Sequence, residues 1–194
     1  MQQGALQVVP TGAGEARQLT HDNVRYTRLR YLPDGKHLLA VGIEAGHGGR
    51  DYLIDVSNGN AKPITPEGTT GTHLSPDGRS VLVIDSQGKW GVWSLDSNSL
   101  QPIPDLDSNQ YYVTGWTPDG SSVYALSSLQ KETTAKVYRV NVATGKMEYW
   151  KTFGDHIASG VTAVSGPQFS SDGRAYVYIY VQLLSEAFVV KGLK

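Results

Sequence analysis

The strongest constraint on this chain is a turn written four times. Leu32-Pro33-Asp34-Gly35, Ser75-Pro76-Asp77-Gly78, Thr117-Pro118-Asp119-Gly120 and Ser170-Ser171-Asp172-Gly173 share one pattern, with Ser171 where the others have proline. Their aspartates stand 43, 42 and 53 residues apart, the spacing of a repeat architecture with an insertion before the last copy. Two places before each proline position comes an apolar residue (Tyr31, Leu74, Trp116 or Phe169), so one core position recurs four times.

The turn reads as a corner and not as a catalytic aspartate. Proline fixes φ near −65° at the first central position of a type I turn, aspartate tolerates the second, and glycine supplies the left-handed residue of a three-residue hairpin loop. Gly35→Ala is therefore expected to destabilise the fold. An apolar run follows each turn, at 38–41, 81–84, 123–126 and 175–180. Such runs are too continuous for a strand with one wet face and suit strands covered on both. Third strands are expected at 52–56, 90–95, 137–141 and 187–190. Second turns at 57–60, 96–99 and 143–146 then lead to more polar fourth strands at 61–65, 100–103 and 146–152. No 3.6-residue apolar stripe persists for three turns, so helices are not expected.

Four antiparallel strands per period of about 42 residues is the signature of a β-propeller blade. The expected fold class is all-β, a partial propeller of about four blades in one unit. Blades are expected at 24–67, 69–107, 111–153 and 162–194, the last without its outer strand, while 5–20 supplies the last strands of a preceding blade. At least one of Trp90 and Trp93, on one third strand, is expected to pack between blades.

The succession of an apolar residue, Pro-Asp-Gly, a basic residue or serine and an apolar run resembles the TolB-like propeller repeat. That repeat is related in form to the WD repeat and occurs in TolB and in the propellers of prolyl-oligopeptidase-type enzymes. The resemblance runs from Leu6 to Lys194 and implies fold more than function, because the family spans sensors, scaffolds and enzyme accessory domains. The ends, ALQVVPTGAGEARQLT and SEAFVVKGLK, resemble the carboxy-terminal propellers of bacterial eukaryotic-type serine/threonine kinases and winged-helix regulators. This implies a sensory or scaffold part of a larger bacterial signalling protein. No glycine-rich phosphate loop and no HRD, DFG or G-x-S-x-G sequence occurs, so the expectation is a non-catalytic module, not an enzyme, that binds a protein or small ligand.

Rings of the TolB-like kind usually have six to eight blades, and four leave apolar faces and strand edges open. A homodimer closing an eight-bladed ring is therefore expected, with Ala16 to Thr20 of one copy as the outer strand of the other's last blade. Other partners are limited by composition. With 194 residues, 39% hydrophobic content and a formal charge of −1, neither nucleic acid nor an anionic membrane surface is an expected partner. No run of 18 apolar residues occurs, and the absence of cysteine removes disulfides and thiolate metal sites.

Up-and-down topology puts all the Pro-Asp-Gly turns on one face and the long loops, at 44–51, 128–136 and 154–160, on the other. Loops on a rigid scaffold commonly carry binding. The candidate ligand residues are His47 and Arg50 in the first of these loops, His156 in the last, and Arg28, which strand alternation aims with Arg30 at the central channel. Histidines 21, 37, 47, 73 and 156 lack the i, i+4 or HxH spacing of a zinc or manganese site, so no metal or other cofactor is expected. A TolB-like relative, oligogalacturonate lyase, uses a histidine-rich metal centre in its channel, but no residue here matches that centre individually. A metal-dependent polysaccharide lyase is accordingly the alternative reading, beside an isolated propeller fragment without independent function.

Overall fold

In the computed structural model, which describes residues 5–127, 134–154, 160–170 and 172–185, every Pro-Asp-Gly copy makes the same corner. The amides of Gly35, Gly78, Gly120 and Gly173 donate to the carbonyls of Leu32, Ser75, Thr117 and Ser170 at 2.9–3.0 Å, and the four glycines have φ of 64°, 73°, 68° and 67°. The aspartate ties the corner together. Asp119 accepts from the Thr117 hydroxyl at 2.6 Å and the Ser121 amide at 3.1 Å, and Asp172 does the same with Ser170 and Arg174 at 2.6 and 3.0 Å. The first copy has Leu32 in the hydroxyl position and recruits His37 instead, whose Nδ1 lies 2.6 Å from Asp34 Oδ2. That ring, with the Lys36 amide, holds the Asp34 carboxyl down at about 2.

A short hairpin, β1 (Gln7–Val8) and β2 (Arg17–Gln18), precedes the blades. The first four-stranded sheet is β3 (Arg25–Tyr31), β4 (His37–Ile43), β5 (Arg50–Asp55) and β6 (Ala61–Pro63). The second is β7 (Thr70–Leu74), β8 (Ser80–Ile84), β9 (Lys89–Ser94) and β10 (Ser99–Asp107), and the third β11 (Tyr111–Trp116), β12 (Ser122–Ser127), β13 (Ala135–Asn141) and β14 (Met147–Phe153). In each sheet the strands are antiparallel and lie side by side in chain order. No helix occurs among the described residues. The fold class is thus the expected one, an all-β partial propeller.

The apolar runs are explained by parity. Along β8, Val81 and Val83 join Leu39 and Trp93 in a cluster on the side of the first blade, whereas Leu82 joins Trp90, Val113 and Val123 on the side of the third. A strand with a blade against each face has no wet position, which is why alternation is missing from its sequence. The same parity sends Leu38 and Ala40 towards Leu6, Val8 and Leu19 of the first hairpin. Tyr124 points the other way from Val123 and stacks on Phe169 of the last blade, with ring centroids 4.0 Å apart. Indoles stitch the seams as well: Trp90 Nε1 donates to the Tyr111 carbonyl at 3.1 Å, and Trp116 Nε1 to the His73 carbonyl at 2.9 Å.

On the turn face, neighbouring corners touch. A Cβ added to Gly78 would lie 2.7 Å from Pro33 Cγ, and one on Gly173 would lie 2.5 Å from Pro118 Cγ, while Gly35 has nothing within 4 Å. These glycines therefore serve a left-handed turn and, at Gly78 and Gly173, a close approach by the preceding blade's proline, whereas a Cβ on Gly120 would meet Pro76 only at an ordinary 3.8 Å.

The last blade departs from the expected strands. Its first hairpin is split into β15 (Val161–Val164) paired with β18 (Tyr180–Gln182), and β16 (Gln168–Phe169) paired with β17 (Tyr176–Val177). Pro167 stands in the gap and has no N–H for the ladder, so the run expected at 175–180 is broken. The third strand expected at 187–190 lies outside the described residues. The fourth strand of the second blade is longer than expected, because β10 continues past an irregularity between Pro102 and Asp107.

Candidate functional site in the channel

On the long-loop face, the sequence-predicted residues are paired with nearby carboxylates. Arg50 Nη2 lies 2.5 Å from Glu44 Oε1, and its Nε donates to the Tyr52 hydroxyl at 3.0 Å. The Tyr52 hydroxyl donates in turn to Glu44, and these two donors keep the Glu44 carboxyl below its usual range. His47 Nδ1 lies 3.3 Å from Glu67 Oε2, and Glu67 also accepts from the Gly48 amide at 2.5 Å. That amide, then His47, holds Glu67 low. Arg50 thus engages a carboxylate of its own loop and His47 one of the loop that follows β6. His156 lies outside the described residues.

Arg28 is elsewhere, in the channel. The inner strands β3, β7, β11 and β16, one from each blade, line a hollow of about 700 Å³. Arg28 and Arg30 enter it from the first blade, His73 from the second, Tyr111 and Tyr112 from the third and Gln168 from the fourth. Aligning the repeats on Pro-Asp-Gly shows that Arg30, His73, Gly115 and Gln168 occupy one repeat position, three places before the proline position, and all four line the adjoining hollow of about 610 Å³. This alignment is the signal that spacing between histidines misses.

The inner strands of the first three blades each carry a one-residue bulge, between Thr27 and Arg30, Gly71 and His73, and Val113 and Gly115, and in the last blade β15 carries one between Val161 and Ala163. Bulges bend a strand and re-aim its side chains. Threonines 72, 114 and 162 occupy the last three bulges, whereas the first holds Arg28 and Leu29. Arg28 has φ of 52°, a left-handed conformation that costs a residue with a Cβ about 1 kcal/mol or more.

Electrostatically the hollow is cationic. None of the described residues lining it is acidic. Asp51, at the start of β5, feels the charge of Arg28 and is fully buried: its Oδ1 accepts from the Gly71 amide at 3.0 Å, and its Oδ2 has no hydrogen-bond partner. Burial pushes the Asp51 carboxyl up to about 7, against the pull of the Gly71 amide and Arg28. Burial also pushes His73 down to about 4, reinforced by the charges of Arg30 and Arg28. The His73 ring is therefore neutral at neutral pH.

No protein-family model matches the chain. The uncharacterized peptidase YuxL of Bacillus subtilis is 27% identical over 173 residues, which cover 88% of this chain and 24% of the peptidase. Among solved structures, TolB from Acinetobacter baumannii superposes with a TM-score of 0.67 at 20% identity, over 93% of this chain and 44% of TolB. An oligogalacturonate lyase in complex with manganese gives a TM-score of 0.61 at 15% identity, over 95% of this chain and 69% of the lyase. The chain thus spans a quarter of its curated relative and less than half of TolB.

These findings correct the expectation that the chain is not an enzyme, since a peptidase shares its sequence and a lyase its fold. The physical reason is that blade repeats encode packing, so missing catalytic motifs within them say nothing about an enzymatic context. Among the described residues no three of His, Cys, Asp and Glu come together as a metal-binding group. Across nearly its whole length, the chain has the fold of a TolB-like β-propeller.

Proposed function

We propose that this chain is the propeller of a peptidase-type enzyme and that its channel binds the peptide substrate. The observation that carries the reading is the hollow where four inner strands meet, which has the size and mixed lining of a small-ligand site. The peptidase relative supports a peptide as the ligand, because the shared sequence covers 88% of this chain and so includes the strands that build the hollow. A signalling module would also hold a ligand here, and the peptidase relative is what favours the enzymatic reading. Inner strands together with Tyr111 and Tyr112 in the lining suit an extended peptide, which offers backbone hydrogen bonds and apolar side chains together. Calorimetric titration with short unstructured peptides is expected to show saturable binding, competed among peptides and insensitive to neutral sugars. Absence of heat and of any chemical-shift change at millimolar peptide would overturn the reading.

A further inference from the structure

From the channel geometry we infer that Arg28 and Arg30 form a recognition site for the C-terminal carboxylate of a bound peptide, with Tyr111 and Tyr112 flanking its last side chain. This rests on the peptide-binding reading above and names the end of the peptide that is read.

Three observations lead to it. Two guanidinium groups on one strand line a hollow to which the described residues contribute no carboxylate. Guanidinium matches carboxylate in planar, charge-assisted hydrogen bonds better than any other side chain. Second, the arginine sits at a strained place. At the repeat position of Arg28, five places before the proline position, the other blades have Gly71, Val113 and Gly166, yet the first holds an arginine at φ 52°, a backbone that glycine would occupy without strain. Strain that persists at one blade of four marks the position where a side chain is needed. Third, the Asp51 carboxyl, which feels the charge of Arg28, is buried, accepts from the Gly71 amide and is pushed towards its neutral form, so it offsets little of that charge. His73 beside the two arginines is kept neutral chiefly by burial, and their charges add to that effect.

The wall opposite is aromatic. Tyr112 is half exposed at the hollow, and Tyr111 is fixed through its carbonyl by the Trp90 indole. A carboxylate next to an apolar or aromatic group is the chemistry of a peptide's last residue. A uronic acid also brings a carboxylate, but on a polar ring.

The test compares an acetylated tetrapeptide ending in phenylalanine, as free acid and as C-terminal amide, with a galacturonate trimer, by calorimetry on this chain. The free acid is expected to bind roughly tenfold to a hundredfold more tightly than the amide, as loss of a charge-assisted pair implies. Arg28→Gln and Arg30→Gln are each expected to weaken the acid about tenfold and to bring acid and amide towards parity. Arg28→Gly separates binding from folding, since it removes the guanidinium while relieving the backbone. It should melt no lower than the parent and still lose the acid-over-amide preference. Equal binding of acid and amide, or an undiminished preference in Arg28→Gly, overturns the site while leaving peptide binding intact. Binding of neither peptide overturns the peptide reading itself, and tighter binding of the trimer than of the acid overturns the peptide as the source of the carboxylate.

Discussion

Leu82 and Val177 hold the same place in two copies of one repeat, six residues beyond the proline position, yet Leu82 is fully buried and Val177 is 64% exposed. Both lie on second strands, and both face the side where the following blade belongs. For Leu82 that blade is present, with Val113 and Val123 against it. For Val177, and for Ile179 and Val181 on the same parity, no following blade exists among the described residues. Blade sequence therefore states a demand for two neighbours, and burial reports whether the demand is met.

The largest expected effect probes a seam where it is met. Asp51, sealed between the first and second blades, titrates near 7 in the folded chain against about 4 when unfolded. The folded form holds that proton more tightly, so this contribution to stability is complete below about pH 4 and lost as pH rises through 7. Denaturant unfolding should show stability falling over that window by up to about 4 kcal/mol. Asp51→Asn keeps an acceptor for the Gly71 amide and should flatten the slope.

Truncation tests the comparison directly. Leu82→Ala is expected to cost about 3 kcal/mol and Val177→Ala about 0.5 kcal/mol or less by urea unfolding. A cost above about 1 kcal/mol at Val177 would mean that its face is covered in solution. We propose a second copy of this chain as the cover, and light scattering at micromolar concentration should then report a dimer that Val177→Asp dissociates. A monomer with a cheap Val177→Ala removes that proposal.

A smaller difference lies in the corners. Gly35→Ala pays for the left-handed backbone alone, about 1 kcal/mol, whereas Gly78→Ala also drives a methyl into Pro33 and should cost roughly twice that. Equal melting points for the two variants would show that the proline contact yields freely.

Much of this was legible because the repeat states it four times. Pro-Asp-Gly specified the corners, and unbroken apolar runs specified strands with two covered faces. Less visible was anything that depends on one blade seeing another. His73 looked unremarkable because its channel companions, Arg30 and Gln168, are 43 and 95 residues away and meet only when the inner strands converge. The bulge that strains Arg28 is a matter of register, set by pairing across the hairpin and by no residue type in particular. Pro167 was in plain view, but the regular repeat drew attention from the ladder it interrupts. The candidate loop residues His47 and Arg50 were visible by type, and their carboxylate partners Glu67 and Glu44 could be assigned only in three dimensions.

The proline that rests on its neighbour's glycine has a mechanical consequence. Ring against backbone, with no room for a methyl at Gly78 or Gly173, is a contact that cannot be compressed and holds no intervening water. The first blade is thus pinned to the second, and the third to the last, at their corners like the leaves of a fan. Any widening of the channel must be taken up on the opposite side, among the long loops, so a ligand that needs room enters from there.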